Sequence, residues 1–308
     1  MDPYAAMTEG VALVDRSESG KLALTGGEAK SFLNGQVSNE IEALEPGTGC
    51  YAALLTPKGK MLADLRVLDV GPPTHELLLL CERSALQALF DALRRFNIGF
   101  DAELHKRTLQ LGLLSLIGPS APLGGLSPES REHDNARSDL GLLVRTDVGI
   151  DVICDSEDTE RVKAALIEGG AVEIDEATAE VLRVEQGRPR YGVDLDDSVI
   201  PQEAGLNERA VSFTKGCYVG QETVARLHWR GKPNRHLRGL RLGEQVQPGT
   251  ELRLGEREVG RITSVAASPR FGTVGLALVR REAQPGDVLD AGGVSAEVVD
   301  LPFAQERG

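Results

Sequence analysis

The chain has 308 residues, too many for one ordinary core, and at about 100–200 residues per domain it predicts two or three folded units. Apolar residues at 41% and charged residues at 26% exclude a disordered chain, and 35 glycines without a fixed period exclude collagen and predict many turns in a β-rich protein. A formal charge of −13 argues against a general nucleic-acid coat protein.

Val11–Val14 and Lys21–Leu24 read as strands, and Glu28–Asn34 as a short helix stopped by Gly35. Gly49–Leu55 and Met61–Val70 read as strands joined at a hairpin tip, Thr56–Lys60, with Asp64 among apolar neighbours in the return strand. Beyond Gly71-Pro72-Pro73, Glu76–Cys81 is a buried-strand pattern, and Ser84 is placed to cap a helix over Ala85–Phe96. Leu109–Ile117, Leu142–Arg145 and Gly149–Cys154 predict strands; the polar stretch 124–141 predicts a mobile loop. Helices are predicted over Asp158–Glu168, closed by Gly169-Gly170, and over Glu176–Gln186, capped by Asp175 and ended by Gly187. Strand–helix–strand followed by strand–strand–helix suggests a ferredoxin-like α+β layer. A long polar loop follows from Arg188 to Leu206, then a helix over Gln221–Arg230. From His236 onward, five short strands (His236–Leu242, Thr250–Leu254, Glu258–Ala266, Thr273–Arg280, Val294–Leu301) predict a small antiparallel barrel.

Four cysteines, Cys50, Cys81, Cys154 and Cys217, show no C-x-x-C spacing and fit a reducing cytosol better than a disulfide framework. Met1-Asp2-Pro3-Tyr4 lacks a signal-peptide pattern, and no apolar run approaches the ~20 residues of a membrane span, so the expectation is a soluble cytoplasmic protein. Nucleotide-loop, zinc-protease and serine-hydrolase motifs are absent, and five scattered histidines predict no metal site. The sharpest local signal is Lys215-Gly216-Cys217-Tyr218-Val219-Gly220-Gln221-Glu222. Glycines bracket a cysteine ahead of a helix N-terminus, where backbone N–H groups and Lys215 favour the thiolate. Cys217 is then a nucleophile, a redox sensor or a soft-metal ligand, or it fills a small pocket in a glycine-shaped turn. Glu208 to Arg241 holds eight basic and two acidic residues, +6 against −19 for the rest, which reads as an anion-docking segment or a solvated basic face. Asp64 and Glu203 are acids in apolar or turn contexts, and a carboxylate matches two adjacent N–H donors of an amino-heterocycle.

The octapeptide resembles the hallmark of the YgfZ-type folate-binding proteins, relatives of the T-protein (aminomethyltransferase) of the glycine cleavage system. Phe32–Ser38, Leu55–Asp64, Arg183–Gly187, Tyr191–Asp194 and Pro201–Leu206 agree in order, and Val259–Ser264 and Leu301–Phe303 look like the T-protein barrel. The resemblance implies an α+β, three-unit fold around a central channel. Its parts are a discontinuous folate-binding domain (1–71 plus 188–235), a ferredoxin-like domain (72–187) and a C-terminal β-barrel (236–308). It implies tetrahydrofolate, or a one-carbon-substituted reduced folate, as cofactor. Glu203 would bind the pterin, and Asp64 would match the aspartate that assists aminomethyl transfer. Tyr191 and Lys215 would join the folate site, Arg226 or Arg230 would meet the glutamate tail, and Cys217 would lie at the channel mouth as a functional group. The implied role is support of iron–sulfur cluster synthesis or repair, with iron–sulfur client or assembly proteins as partners. Aminomethyl or other folate-dependent one-carbon transfer is the alternative, and tRNA binding a minor one. T-proteins usually lack the cysteine of this segment, which favours the cluster role.

Overall fold

The computed structural model describes residues 2–304; Met1 and residues 305–308, which close the outer expected domain bounds, lie outside the described residues. Asp2 accepts a hydrogen bond from the Ala5 amide (3.2 Å) and Pro3 occupies the first turn, so the chain opens with a helix the sequence reading missed, α1 (Pro3–Glu9). β1 (Ala12–Asp15) and β2 (Gly20–Thr25) follow as expected. α2 (Ala29–Gln36) runs through Gly35 and ends at extended Val37. A helical glycine costs only about 1 kcal/mol, and complete burial of Phe32 and Leu33 outweighs it. β3 (Gly49–Leu55) and β4 (Met61–Asp69) form the predicted hairpin, followed by β5 (Leu77–Cys81) and α3 (Leu86–Phe96). Ser84 does not cap α3; its hydroxyl donates to the Tyr191 carbonyl (3.3 Å).

β6 (Glu103–Lys106) and β7 (Leu111–Ile117) lead into the stretch expected to be a mobile loop. It instead carries β8 (Asn135–Ser138), paired with β9 (Gly141–Arg145), and buries His133 and Asn135. The Asn135 side chain and amide bond the Thr48 and Gly47 carbonyls, so this segment is docked. β10 (Gly149–Asp155), α4 (Thr159–Glu168), β11 (Val172–Glu173) and α5 (Glu176–Glu185) come next, α5 capped by Asp175 as predicted. After α6 (Asn207–Ala210) and α7 (Gln221–Arg230) the barrel is built from β12 (Arg235–Leu242), β13 (Glu251–Leu254), β14 (Arg257–Ser268), β15 (Gly272–Arg280), β16 (Val288–Ala291) and β17 (Val294–Val299). It closes in the order β12-β15-β14-β13-β16-β17. The four-residue β16 is the barrel strand the sequence reading lacked.

The rest of the chain forms two sheets, β3-β4-β5-β2-β6 and β11-β1-β7-β10-β9-β8. The expected division at 71/72 does not fall between them. β5 pairs with β2 and β4, and β6 pairs with β2, so residues 77–106 complete the first sheet, while β1 joins the second. Alternation along the strands then sorts the faces. Ala63, Leu65 and Val67 of β4 pack with Phe32, Leu33 and Leu89 under α2 and α3, and Leu114, Leu116, Ile150 and Val152 pack with Val162 and Leu166 of α4. The opposite faces meet each other. Leu68, Leu78, Leu80, Leu113, Val144 and Ile153 close one end of that interface with an apolar core, leaving polar residues to line the other. The barrel is fastened by Arg183 of α5, which pairs with fully buried Asp194 (2.6 Å) and donates to Ser264 of β14 (2.6 Å). No described helix is long and apolar enough to cross a membrane.

Candidate functional site

Between the two sheets lies a cavity of about 510 Å³ whose wall includes Tyr51, Asp64, Arg66, Ser115, Asp151 and His133. β4 puts Asp64 and Arg66 on one face because they are two residues apart. Across the ladder Tyr51 stands opposite Arg66, and its hydroxyl reaches diagonally to donate to Asp64 Oδ2 (2.5 Å). Asp64 has no ion-pair partner among the described residues and is buried. Burial pushes its pKa up, against the opposing pull of the Tyr51 hydroxyl. Burial and the neighbouring carboxylate drive the Tyr51 phenol well above its ordinary value.

The facing sheet supplies the other wall. Asp151 of β10 and Ser115 of β7 are cross-strand partners; the serine hydroxyl donates to Asp151 Oδ1 (2.6 Å), and Asp151 Oδ2 pairs with Arg66 Nη1. Arg66 Nε and Nη2 are buried without an acceptor. His133, at φ +76°, is also in the wall with Nδ1 unpartnered. Burial, with Arg66 and Arg209 adding positive charge, lowers its pKa to about 2, so the ring is neutral. Arg209 lies 5.4 Å over the Tyr51 ring and donates to Glu132 (2.6 Å), while Arg188 pairs with Asp147 (2.8 Å). At the far end Arg16 and Arg190 both grip Glu176. The site is a polar pocket with fixed arginines and, among the described residues, one buried carboxylate free of cations, suited to a ligand with N–H donors at one end and acceptor oxygens elsewhere.

Of the residues expected in the folate site, Asp64 lines this cavity, joined by Arg209 of the basic stretch. Glu203 does not share it. Its carboxylate is clasped by Arg235 of β12 (Nε to Oε1 3.2 Å, Nη2 to Oε2 3.0 Å) and accepts from the Ile200 amide, so it ties the 198–206 loop to the barrel. Tyr191 packs against the first sheet's core and the Leu195–Val199 cluster, next in the chain to Arg190 of the wall. Lys215 is buried, and its ammonium donates to the carbonyls of Asn34, Val37 and Asn39 (2.6, 3.0 and 2.6 Å). All three protons are used at the C-terminal end of α2, so Lys215 is not a ligand group. Burial lowers its pKa to about 8. Cys217 is an exposed free thiol in the turn before α7. That turn needs Gly220, at φ +86°, where a Cβ would meet the Thr56 carbonyl oxygen at 2.6 Å.

The basic stretch is dispersed by the fold. Arg209, Arg235 and Arg238 pair with Glu132, Glu203 and Asp300. Arg226 and Arg230 are exposed on α7 and absent from the cavity wall, which removes the expected route for a glutamate tail past them. The sequence reading missed Tyr51, Arg66, Ser115, Asp151 and His133. The i, i+2 spacing of Asp64 and Arg66 on a predicted strand was a usable signal for Arg66; the others depend on pairing between distant segments.

The GCVT N-terminal domain matches residues 2–123, and the glycine cleavage T-protein C-terminal barrel domain matches residues 235–305. An aminomethyltransferase of Streptomyces avermitilis is 31% identical over 336 residues, covering 99% of this chain and 90% of that protein. A putative chloroplastic transferase of Arabidopsis thaliana is 27% identical over 319 residues, 97% of this chain and 72% of its relative. The crystal structure of glycine cleavage system aminomethyltransferase T from Bartonella henselae shares the fold, with a TM-score of 0.87 at 21% identity over 99% of this chain and 89% of that one. Two facing sheets, a polar cavity between them and a closed six-stranded barrel thus define a protein of T-protein architecture. The chain belongs to the aminomethyltransferase family, which includes the glycine cleavage T-protein.

Proposed function

We propose that this protein binds a reduced folate in the Asp64 cavity and, so loaded, supports iron–sulfur cluster synthesis or repair as a YgfZ-type member of its family. The observation that carries the reading is Asp64, a buried carboxylate held by Tyr51 and without a cation among the described residues, in the wall of a cavity of about 510 Å³. That volume falls within the ~300–1,000 Å³ of small-molecule sites. The residues present fit tetrahydrofolate. A pterin offers adjacent N–H donors, which Asp64 accepts in place of water, and Tyr51 fixes the carboxylate's orientation. Arg66, Arg188 and Arg209 stand in the same wall for acceptor atoms. Bound tetrahydrofolate supplies the nitrogens that carry one-carbon units; the chain's own part is to orient it and exclude water.

The cluster role is supported by the Lys215–Glu222 segment and by the exposed Cys217 thiol, which is open to an iron–sulfur client or assembly protein. A second reading, aminomethyl transfer, is favoured by identity to aminomethyltransferases along nearly the whole chain and by the cavity position of Asp64. Calorimetric titration with tetrahydrofolate tests the shared core of both readings: binding to wild type that is lost in Asp64→Ala supports it, and no heat at high micromolar ligand rejects it. A lipoyl-dependent aminomethyl-transfer assay separates the two, since robust turnover moves the assignment to the transferase.

A further inference from the structure

Of the eight basic residues between Glu208 and Arg241, five are already engaged. Arg209, Arg235 and Arg238 meet carboxylates, Lys215 spends its protons on carbonyls at the end of α2, and Arg241 donates to the Ala304 carbonyl. Arg226, Arg230 and Lys232 are exposed and have no ion-pair partner among the described residues. They gather at the end of α7. Arg226, Trp229 and Arg230 are three and four residues apart and so share one helix face, and Lys232 follows just beyond the last turn. Trp229 is 70% exposed and is the chain's sole tryptophan. Val224 on another side of α7 is buried in the cluster that holds Leu195 and Tyr218, which fixes the face α7 turns outward. The Phe213 ring stacks on His228 at 3.9 Å, and Trp229 stands edge-on to both, at 6.5 and 4.6 Å. Phe213 belongs to the loop that carries Cys217 four residues later, so the exposed cysteine lies within roughly 14 Å of this cluster along the chain. A single open tryptophan needs no explanation, but one flanked by unpaired arginines has the makeup of an interface hot spot.

We propose that Arg226, Trp229, Arg230 and Lys232 form a docking surface for an acidic segment of a protein partner, which is thereby brought beside the Cys217 thiol. The inference rests on the reading that Cys217 serves an iron–sulfur client. Charge complementarity decides the occupant. Carboxylates of the partner accept from the two guanidiniums, and an apolar side chain among them covers Trp229. Glu222, in the first turn, is the one carboxylate on α7, so the last turns present cations alone. Nucleic acid fits this face less well. Three cations neutralise few phosphates, and the chain as a whole carries −13. Phe213 and His228 cover each other's ring faces, which leaves Trp229 as a single stacking platform.

The probe is a fluorescein-labelled amphipathic peptide with leucine and phenylalanine at helical spacing among glutamates; its lysine counterpart and a single-stranded oligothymidylate are measured beside it. The acidic peptide is expected to bind wild type at micromolar concentration by anisotropy and to lose affinity with added salt. It should also shift the tryptophan emission to the blue, a signal that Trp229 alone can give. Trp229→Ala should weaken binding about tenfold, and Arg226→Gln/Arg230→Gln about fivefold. The urea midpoint and tetrahydrofolate affinity should stay unchanged, because these residues are exposed and outside the cavity wall. No binding of the acidic peptide, or equal binding of the lysine peptide, overturns the inference. Tighter binding of the oligothymidylate overturns it in favour of nucleic acid, and a blue shift on raising protein concentration alone overturns it in favour of a second copy. In cells carrying only one variant, Arg226→Gln/Trp229→Ala/Arg230→Gln is expected to lose iron–sulfur enzyme activity as Cys217→Ser does. Loss with Cys217→Ser but not with the triple variant overturns the docking surface and leaves the cluster role intact. No loss with either overturns the cluster role itself.

Discussion

Asp64 and Glu203 are both buried carboxylates flanked by apolar or turn residues, yet the fold treats them in opposite ways. Glu203 sits in a loop that reaches the barrel and is neutralised there by a two-pronged contact from Arg235. Its backbone carbonyl also accepts from the Leu237 amide (2.8 Å), so side chain and main chain serve one junction. Asp64 sits on a central strand and receives a phenol rather than a cation, which leaves its charge uncompensated and its remaining lone pairs available. Burial alone does not mark a binding carboxylate. A carboxylate already bonded bidentately to arginine is satisfied, whereas one that faces a cavity with a single neutral donor retains capacity for a ligand.

The largest expected effect breaks the Glu203 side of this comparison. Glu203→Ala strands Arg235 and should lower stability by about 2–3 kcal/mol, below the 3–5 kcal/mol of a fully buried pair because Arg235 is 30% exposed. Urea unfolding measures it, and tetrahydrofolate affinity should stay unchanged; a lost affinity with intact stability would restore Glu203 to the site. Asp64→Asn should do the reverse, weakening tetrahydrofolate by about tenfold or more with a modest effect on stability. The pH dependence sharpens this. Burial raises the Asp64 pKa above its ordinary ~3.9, so its stabilising share is complete below that value and is lost as pH rises through the folded-state pKa. The stability of wild type minus that of Asp64→Asn should therefore decline with rising pH across that window in urea unfolding. Tyr51→Phe removes the donor that orients Asp64 and should weaken folate binding by roughly fivefold, about 1 kcal/mol. Smallest is Cys217→Ser, which should change stability by less than about 0.5 kcal/mol and leave folate binding alone. Loss of iron–sulfur enzyme activity in cells carrying only that variant would tie Cys217 to the cluster role.

Much of the local architecture was readable along the chain. Gly49–Leu55, Gln221–Arg230 and the Asp175 cap appear where spacing and capping residues predict them, and barrel strands alternate clearly enough to announce a barrel. Asp64 was visible as an acid in an apolar strand. Lys215 misled because a conspicuous basic residue beside glycines reads as a binding group, whereas its ammonium closes the end of α2. The 124–141 stretch misled because its polarity reflects docking onto residues 47–48, a partner far away in sequence.

What the sequence by itself determined is therefore the set of elements and the face each strand residue takes, since both follow from short-range dihedral preference and a two-residue period. Which sheet a strand joins, and which charge meets which, was decided only by tertiary structure. β1 crosses to the second sheet, Arg235 claims Glu203, and Asp151 claims one arm of Arg66 while the other remains unmet. The reason is that an ion pair or a sheet partner is chosen by proximity and desolvation across 32 or 85 residues of chain, and no local pattern encodes that distance.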